Sequence, residues 1–162
     1  PWRKDGKHII LAGSSAKYHE FYRLRDPTSW MHHVVNQVRM VTDRPLIYRP
    51  KPSWREAVEI PHTRFSRPPE VLAELLPGAH CLVTHGSNAS FDAVMAGVPC
   101  VILGEAVAKP LSTTSIFEIE KLKLADDKAR HRWLCSLAYH QWTLPEMISG
   151  AAWDFIGDQI HG

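Results

Sequence analysis

Short, continuously apolar runs alternate with helical patterns along most of this chain. Residues 8–13, HIILAG, read as a buried strand ending in Gly, followed by a polar loop, GSSAKYHE. In residues 28–42, Trp30, Val34, Val35, Val38 and Val41 recur at helical spacing. Thr28-Ser29 supply the N-cap pair there and Asp43-Arg44-Pro45 the stop. LIYR, residues 46–49, predicts a second strand closed by Pro-Lys-Pro. Residues 52–67 are weakly patterned and predict a loop with room for one short strand. Pro68-Pro69 opens a short helix to Leu75 or Leu76, ended by Pro77-Gly78. HCLVT (80–84) is the third strand, residues 88–96 a helix with Gly97 as its C-terminal cap, and PCVIL (99–103) the fourth strand.

Beyond residue 103 the order changes. Residues 104–125 are mixed, with a short helix near 113–119. Residues 126–141 and 144–160 predict two helices separated by Thr143-Leu144-Pro145, with Asp126 or Asp127 as a cap. Strands alternating with helices mean βαβ units and a mainly parallel sheet covered on both faces. The expected fold is therefore α/β: a Rossmann-like three-layer α/β/α domain, core about 7–125, with a helical tail of two helices over 126–162.

A length of 162 residues fits one domain, or one half of a two-domain enzyme. The chain opens Pro-Trp-Arg without Met, so a fragment of a longer protein is the expectation. Hydrophobic residues make up 44% and charged residues 22%, the balance of a chain with a packed core. No apolar run reaches the length of a membrane span and no signal peptide is visible. Cys81 and Cys100 lie in strand-like runs. With Cys135 they make an odd count of 3, read as free thiols of a cytoplasmic protein. Residues 1–70 carry thirteen Lys and Arg against seven Asp and Glu, a balance of +6; the remaining six against ten give −4, together the +2 of the whole chain. A basic first half faces either phosphates or plain solvent.

The most informative stretch is THGSNASFDAVMAGVPCVILG, residues 84–104. Ligands of an open parallel sheet bind at the carboxyl ends of its strands, where Thr84, His85, Gly86, Ser87, Asn88 and Ser90 fall. Helix N-termini there offer unpaired N–H groups and a positive dipole end, which suit a phosphate. Gly86 permits close backbone approach. Asp92, one turn further in, is placed to accept from a ribose diol. The residues alone leave a second assignment open, in which Ser87 or Asn88 is an N-cap and Asp92 merely complements the dipole.

The run Gly86-Ser87-Asn88-Ala89-Ser90-Phe91-Asp92-Ala93-Val94-Met95-Ala96-Gly97-Val98-Pro99 resembles the donor-binding signature of GT-B glycosyltransferases. It is most similar to the capsule-polysaccharide transferases and the nucleotide-sugar 2-epimerases. The match covers the Gly turn, the Asn, the acid-to-Gly spacing and Gly-Val-Pro. Asp92 replaces the usual Glu, Thr84 sits where many plant-type members carry His, and His85 is one place off. The resemblance implies that Gly86, Ser87, Asn88 and Ser90 contact a diphosphate and Asp92 the ribose. It also implies phosphate contacts from the loop after the first strand (Ser14, Ser15, Lys17). Arg49 and Lys51, after the second strand, would neutralise the diphosphate leaving group. Glu105, Lys109 and Ser112, after the fourth strand, would stand near the donor sugar.

Ten histidines raise a metal site, but His32-His33 are adjacent, His131 and His140 are nine apart, and no His-Glu-x-x-His run exists. No metal is expected. His85 is either a catalytic base or a polar rim residue, and Glu105 is the other catalytic candidate. The aromatic tail reads as helices packed on the sheet, or as the helices with which GT-B chains reach back to their amino-terminal domain. The expectation is a glycosyltransferase-like domain of polysaccharide biosynthesis binding a nucleotide-diphosphate sugar, with no cofactor. Its acceptor half would be an amino-terminal domain or partner chain, and self-association stays open. Non-catalytic nucleotide binding or interaction, and 2-epimerase-like chemistry, are the alternatives. Scattered Arg and Lys without interleaved aromatics argue against nucleic acid.

Overall fold

The computed structural model describes residues 1–161, which divide into two compact units, Pro1–Ala125 and the segment from Asp126 onward. The first unit runs β1 (His8–Ala12), α1 (Ala16–Phe21), α2 (Pro27–Arg39), β2 (Leu46–Arg49), β3 (Arg64–Phe65), α3 (Leu72–Leu75), β4 (Ala79–Thr84), α4 (Ala89–Met95) and β5 (Cys100–Ile102). All five strands are parallel, in the order β3-β2-β1-β4-β5, and helices flank the sheet. The Rossmann-like α/β expectation holds.

The continuous apolar strands follow from this arrangement, because a strand covered on both faces has no solvent side to make polar. Ile9, Ile10 and Leu11 of β1 are all fully buried. On one face Ile9, Leu11, Tyr48, Cys81 and Val83 pack with Met31, Val34, Val35 and Val38 of α2, and with Ile116 and Ile119. Burial pushes the Tyr48 phenol up to about 12. α4 packs on β4 and β5 through Ala93 and Val94, which are fully buried. Cys81 and Cys100 are buried free thiols and Cys135 an exposed one.

Two 3-10 turns, Lys109–Leu111 and Ile116–Lys121, follow β5. Between them the chain folds back along the outer edge of β5. The Ile102 N–H donates to the Thr113 carbonyl (2.9 Å) and the Thr113 N–H to the Cys100 carbonyl (3.0 Å). Arg44 fastens the opposite end of the sheet. It donates to both carboxylate oxygens of Glu120 (2.8 and 2.9 Å) and to the Gly6 carbonyl (2.9 Å). The Arg44 bonds, helped by the Thr42 hydroxyl, hold the Glu120 carboxyl down at about 2.

Four local expectations are corrected. The GSSAKYHE segment is not wholly loop, since α1 occupies Ala16–Phe21 behind a Ser15 N-cap. The N-cap of α2 is Asp26, whose carboxylate accepts from the Ser29 N–H (3.0 Å), with Pro27 in the first turn; Thr28 and Ser29 lie inside the helix. α3 begins at Leu72 rather than at Pro68-Pro69. The tail forms three helices rather than two: α5 (Asp127–Tyr139), α6 (Leu144–Ser149) and α7 (Ala151–His161). Gly150 breaks the expected long helix at φ 89°, a conformation open to Gly and strained for other residues. Asp126 caps α5, its carboxylate accepting from the Ala129 N–H. Thr143 and Glu146 form a reciprocal capping box on α6. No described helix is long and apolar enough to cross a membrane.

Candidate functional site

In an open parallel sheet, a crevice opens where neighbouring strands send their connections in opposite directions. Here that point lies between β1 and β4, because β1 leads away toward β2 and β3 while β4 leads toward β5. A cavity of about 290 Å³ sits at this point. Gly13, Ser14, Ser15 and Tyr18 line it from the segment after β1, Gly86, Ser87 and Asn88 from the turn after β4, and Lys51 from beyond β2. An adjoining cavity of about 280 Å³ shares Gly13, Lys51 and Ser87, and adds Arg49, Leu72 and Asp92. Residues far apart in sequence thus converge because three parallel strands end side by side, with Ala12 in register with both Arg49 and Thr84.

The hydrogen bonds divide the expected site residues into available and committed groups. Thr84 is fully buried; its hydroxyl donates to the Ala12 carbonyl (2.9 Å) and accepts from the Ser87 N–H (3.1 Å). Ser90 is also fully buried and its hydroxyl donates to the Ser87 carbonyl (2.8 Å). Both shape the turn and neither lines the two cavities. The Ser87 hydroxyl accepts from the Ala89 N–H (3.2 Å), so its own proton remains to be given. Asn88 stands at the N-cap position of α4, exposed, with no capping bond from its side chain. Ser14 is buried in the cavity wall, and the Ser15 hydroxyl caps α1 by accepting from the Tyr18 N–H (3.4 Å).

The cations also differ. Lys51 is exposed, lines both cavities and makes no salt bridge among the described residues. Arg49 is buried, with Nη1 donating to the Ser66 hydroxyl (3.0 Å). It lies close enough to Glu70 to help Arg64 and Ser66, the stronger influences, hold that carboxyl below its ordinary value. Lys17 is exposed on α1 and lines neither of these two cavities; it stands in a third cleft with Ser15, Lys51, Trp54 and Arg55. Asp92 is exposed on α4 and reaches only the second cavity.

Gly86 has a different physical reason from the one its motif suggests. A Cβ there would collide with the Tyr18 hydroxyl and the Glu105 carbonyl, so the glycine makes room for the protein itself. Tyr18 also explains His85, for its hydroxyl and His85 Nδ1 are hydrogen-bonded at 2.9 Å. His85 reaches the cavity only through Tyr18. Its ring lies against Gly104, where a Cβ would strike it, and edges Tyr18, Tyr22 and Trp30 at centroid distances of 5.8, 5.8 and 6.0 Å. Burial first, then the neighbouring His19 and Lys109, lower the His85 pKa against the opposing pull of Glu105. Glu105 pairs with Lys109, and the Ser112 hydroxyl donates to the Ala108 carbonyl (2.7 Å); none of the three lines the two cavities.

Sequence reasoning missed Tyr18. Its signal was present in Tyr18 and Tyr22, four apart on a short helix and its C-cap, whose rings lie tilted against each other at 4.6 Å. Among the described residues no group of three or more His, Cys, Asp or Glu side chains gathers to hold a metal ion. No protein-family model matches this sequence, and no curated protein matches it.

Proposed function

We propose that the cavity between β1 and β4 binds the diphosphate of a nucleotide sugar, and that this is the donor-binding domain of a GT-B type glycosyltransferase. The observation that carries the reading is the convergence at the point of strand-order reversal. Serine hydroxyls from two turns and the exposed amide of Asn88 meet there with Lys51, a cation that makes no salt bridge among the described residues. Donors held in place before charge develops on a leaving diphosphate are what glycosyl transfer demands. In this reading Lys51, Ser14, Ser15, Ser87 and Asn88 hold the phosphates. Arg49 and Asp92, in the adjoining cavity, serve the ribose side of the donor. The acceptor binds a second domain, supplied by a longer chain or a partner, in the cytoplasm.

One observation favours a second reading. His85 lies behind Tyr18 and Glu105 is tied to Lys109, so neither catalytic candidate stands in the wall of the two cavities. A module that binds a nucleotide without turning it over satisfies the same geometry. Calorimetric titration with UDP, GDP, CMP and ADP, with and without attached sugars, tests both. Saturable binding that Lys51→Ala and Asn88→Ala weaken supports the site, and a requirement for the sugar selects the transferase. Absence of binding by every nucleotide overturns both readings.

A further inference from the structure

Tyr18 is the one described residue that both lines the first cavity and bonds, through its hydroxyl, to a titratable side chain that does not line it. A tyrosine hydroxyl has one proton. If that proton goes to His85 Nδ1, the oxygen presents only lone pairs toward the cavity, which repel an anion. If Nδ1 carries a proton and donates to the oxygen, the hydroxyl proton is released for the cavity. The imidazolium meets the second condition outright. Burial, followed by Tyr22 and Glu105, raises the Tyr18 pKa, so the phenol keeps its proton through the neutral range.

We propose that Tyr18 is an anion-binding residue of this cavity and His85 the positioning residue that turns its hydroxyl toward the ligand. The inference rests on the phosphate reading of the cavity, and adds to it a direction of coupling. Anion binding favours protonated His85, and by reciprocity protonation of His85 tightens anion binding. The ionisable groups around the ring are Tyr18 and His19 from α1, Tyr22 at its C-cap, and Glu105 and Lys109 from beyond β5. His19 is itself buried, with Nδ1 donating to the Arg25 carbonyl (2.7 Å). Burial lowers the His85 pKa, so the ring takes up its proton on the acid side of the ordinary histidine range. Affinity therefore rises as pH falls through the His85 pKa.

Sulfate is a suitable probe because it stays a dianion across the range that titrates histidine. The full chain, labelled with nitrogen-15, is titrated with sulfate at pH 5.5 and 8.0, and the Ser87 and Asn88 amide shifts are followed. The expected result is binding about fivefold or more tighter at pH 5.5, within the usual range of coupled sites. His85→Gln, which keeps a polar side chain but cannot titrate, should bind equally at both pH values. Tyr18→Phe, which keeps the ring but not the hydroxyl, should bind at pH 5.5 no better than the wild type does at pH 8.0. A pH dependence that survives in His85→Gln assigns the proton to another group, His19 first, and overturns the proposal. So does a Tyr18→Phe chain that binds as the wild type. If sulfate binds equally at both pH values, the coupling falls and the phosphate site stands. If it moves neither Ser87 nor Asn88 at any pH, the phosphate reading falls and the coupling with it.

Discussion

The two turns that face each other across the cavity are built from the same residue types and do different things with them. After β1, Gly13-Ser14-Ser15 leads into α1, and the Ser15 hydroxyl caps that helix by accepting from the Tyr18 N–H. After β4, the hydroxyls of Thr84, Ser87 and Ser90 make four hydrogen bonds that hold the turn together and to β1: Thr84 to Ala12, Ser87 to Thr84, Ala89 to Ser87 and Ser90 to Ser87. The first turn is held by a helix cap, the second by its own hydroxyls. A polar residue at a strand end is open to a ligand only to the extent that its turn leaves it uncommitted.

The glycines offer the strongest way to break this contrast. Gly86→Ala drives a methyl group into the Tyr18 hydroxyl and the Glu105 backbone, and should destabilise the chain by about 2–3 kcal/mol in urea unfolding. Gly13→Ala meets the Tyr48 ring at 3.2 Å and Pro50 Cα at 3.4 Å, so the loss there should be smaller, about 1 kcal/mol. Equal losses would remove the difference in how tightly the turns are packed. Thr84→Val leaves the buried Ala12 carbonyl and the Ser87 N–H without their partner and should cost about 2 kcal/mol. An unchanged urea midpoint would show that Thr84 does not pin the second turn. Ser15→Ala removes the α1 cap and should cost about 1 kcal/mol, read in the same assay. Asn88→Ala is the smallest in stability, within about 0.5 kcal/mol, since no capping bond is lost. Its effect should appear only in nucleotide or sulfate titrations, and a stability loss matching that of Thr84→Val would place Asn88 with the structural residues instead.

β1, β2, β4 and β5 were legible because each is a short apolar run with Gly or Pro close by, and burial on both faces leaves little else for them to be; β3, the two residues Arg64–Phe65, carries no such signal. α1 was not, because its one buried residue is His19, so no apolar period marks it. The start of α2 was misplaced because Thr28-Ser29 outweighed Asp26-Pro27. Yet Pro, which lacks the N–H that a first turn leaves unpaired, fits just after the cap. In the tail, Met147, Ala151 and Phe155 keep helical spacing across Gly150, so the period concealed the break. Of the site, the clustering of Ser14, Ser15, Lys51, Gly86, Ser87 and Asn88 followed from fold class alone, since strand ends of a parallel sheet gather on one edge. The division between committed and available hydroxyls did not. Thr84 and Ser90 look the same as Ser87 in sequence, and only the distances tell them apart. Lys17 and Lys51 likewise differ only in which way their segments leave the sheet.

The return of residue 113 along β5 has a consequence for solubility. An open sheet ends in two rows of unpaired backbone groups, which other chains can extend into aggregates. Here one border strand, β3, is two residues long, and the outer side of β5 is occupied by the chain's own Thr113. Neither border offers a ladder of useful length to a foreign strand. A substitution of Thr113 by proline would remove the N–H that Cys100 receives and reopen that side. Its signature would be growth of cross-β aggregates on mild heating, before the rest of the sheet has unfolded.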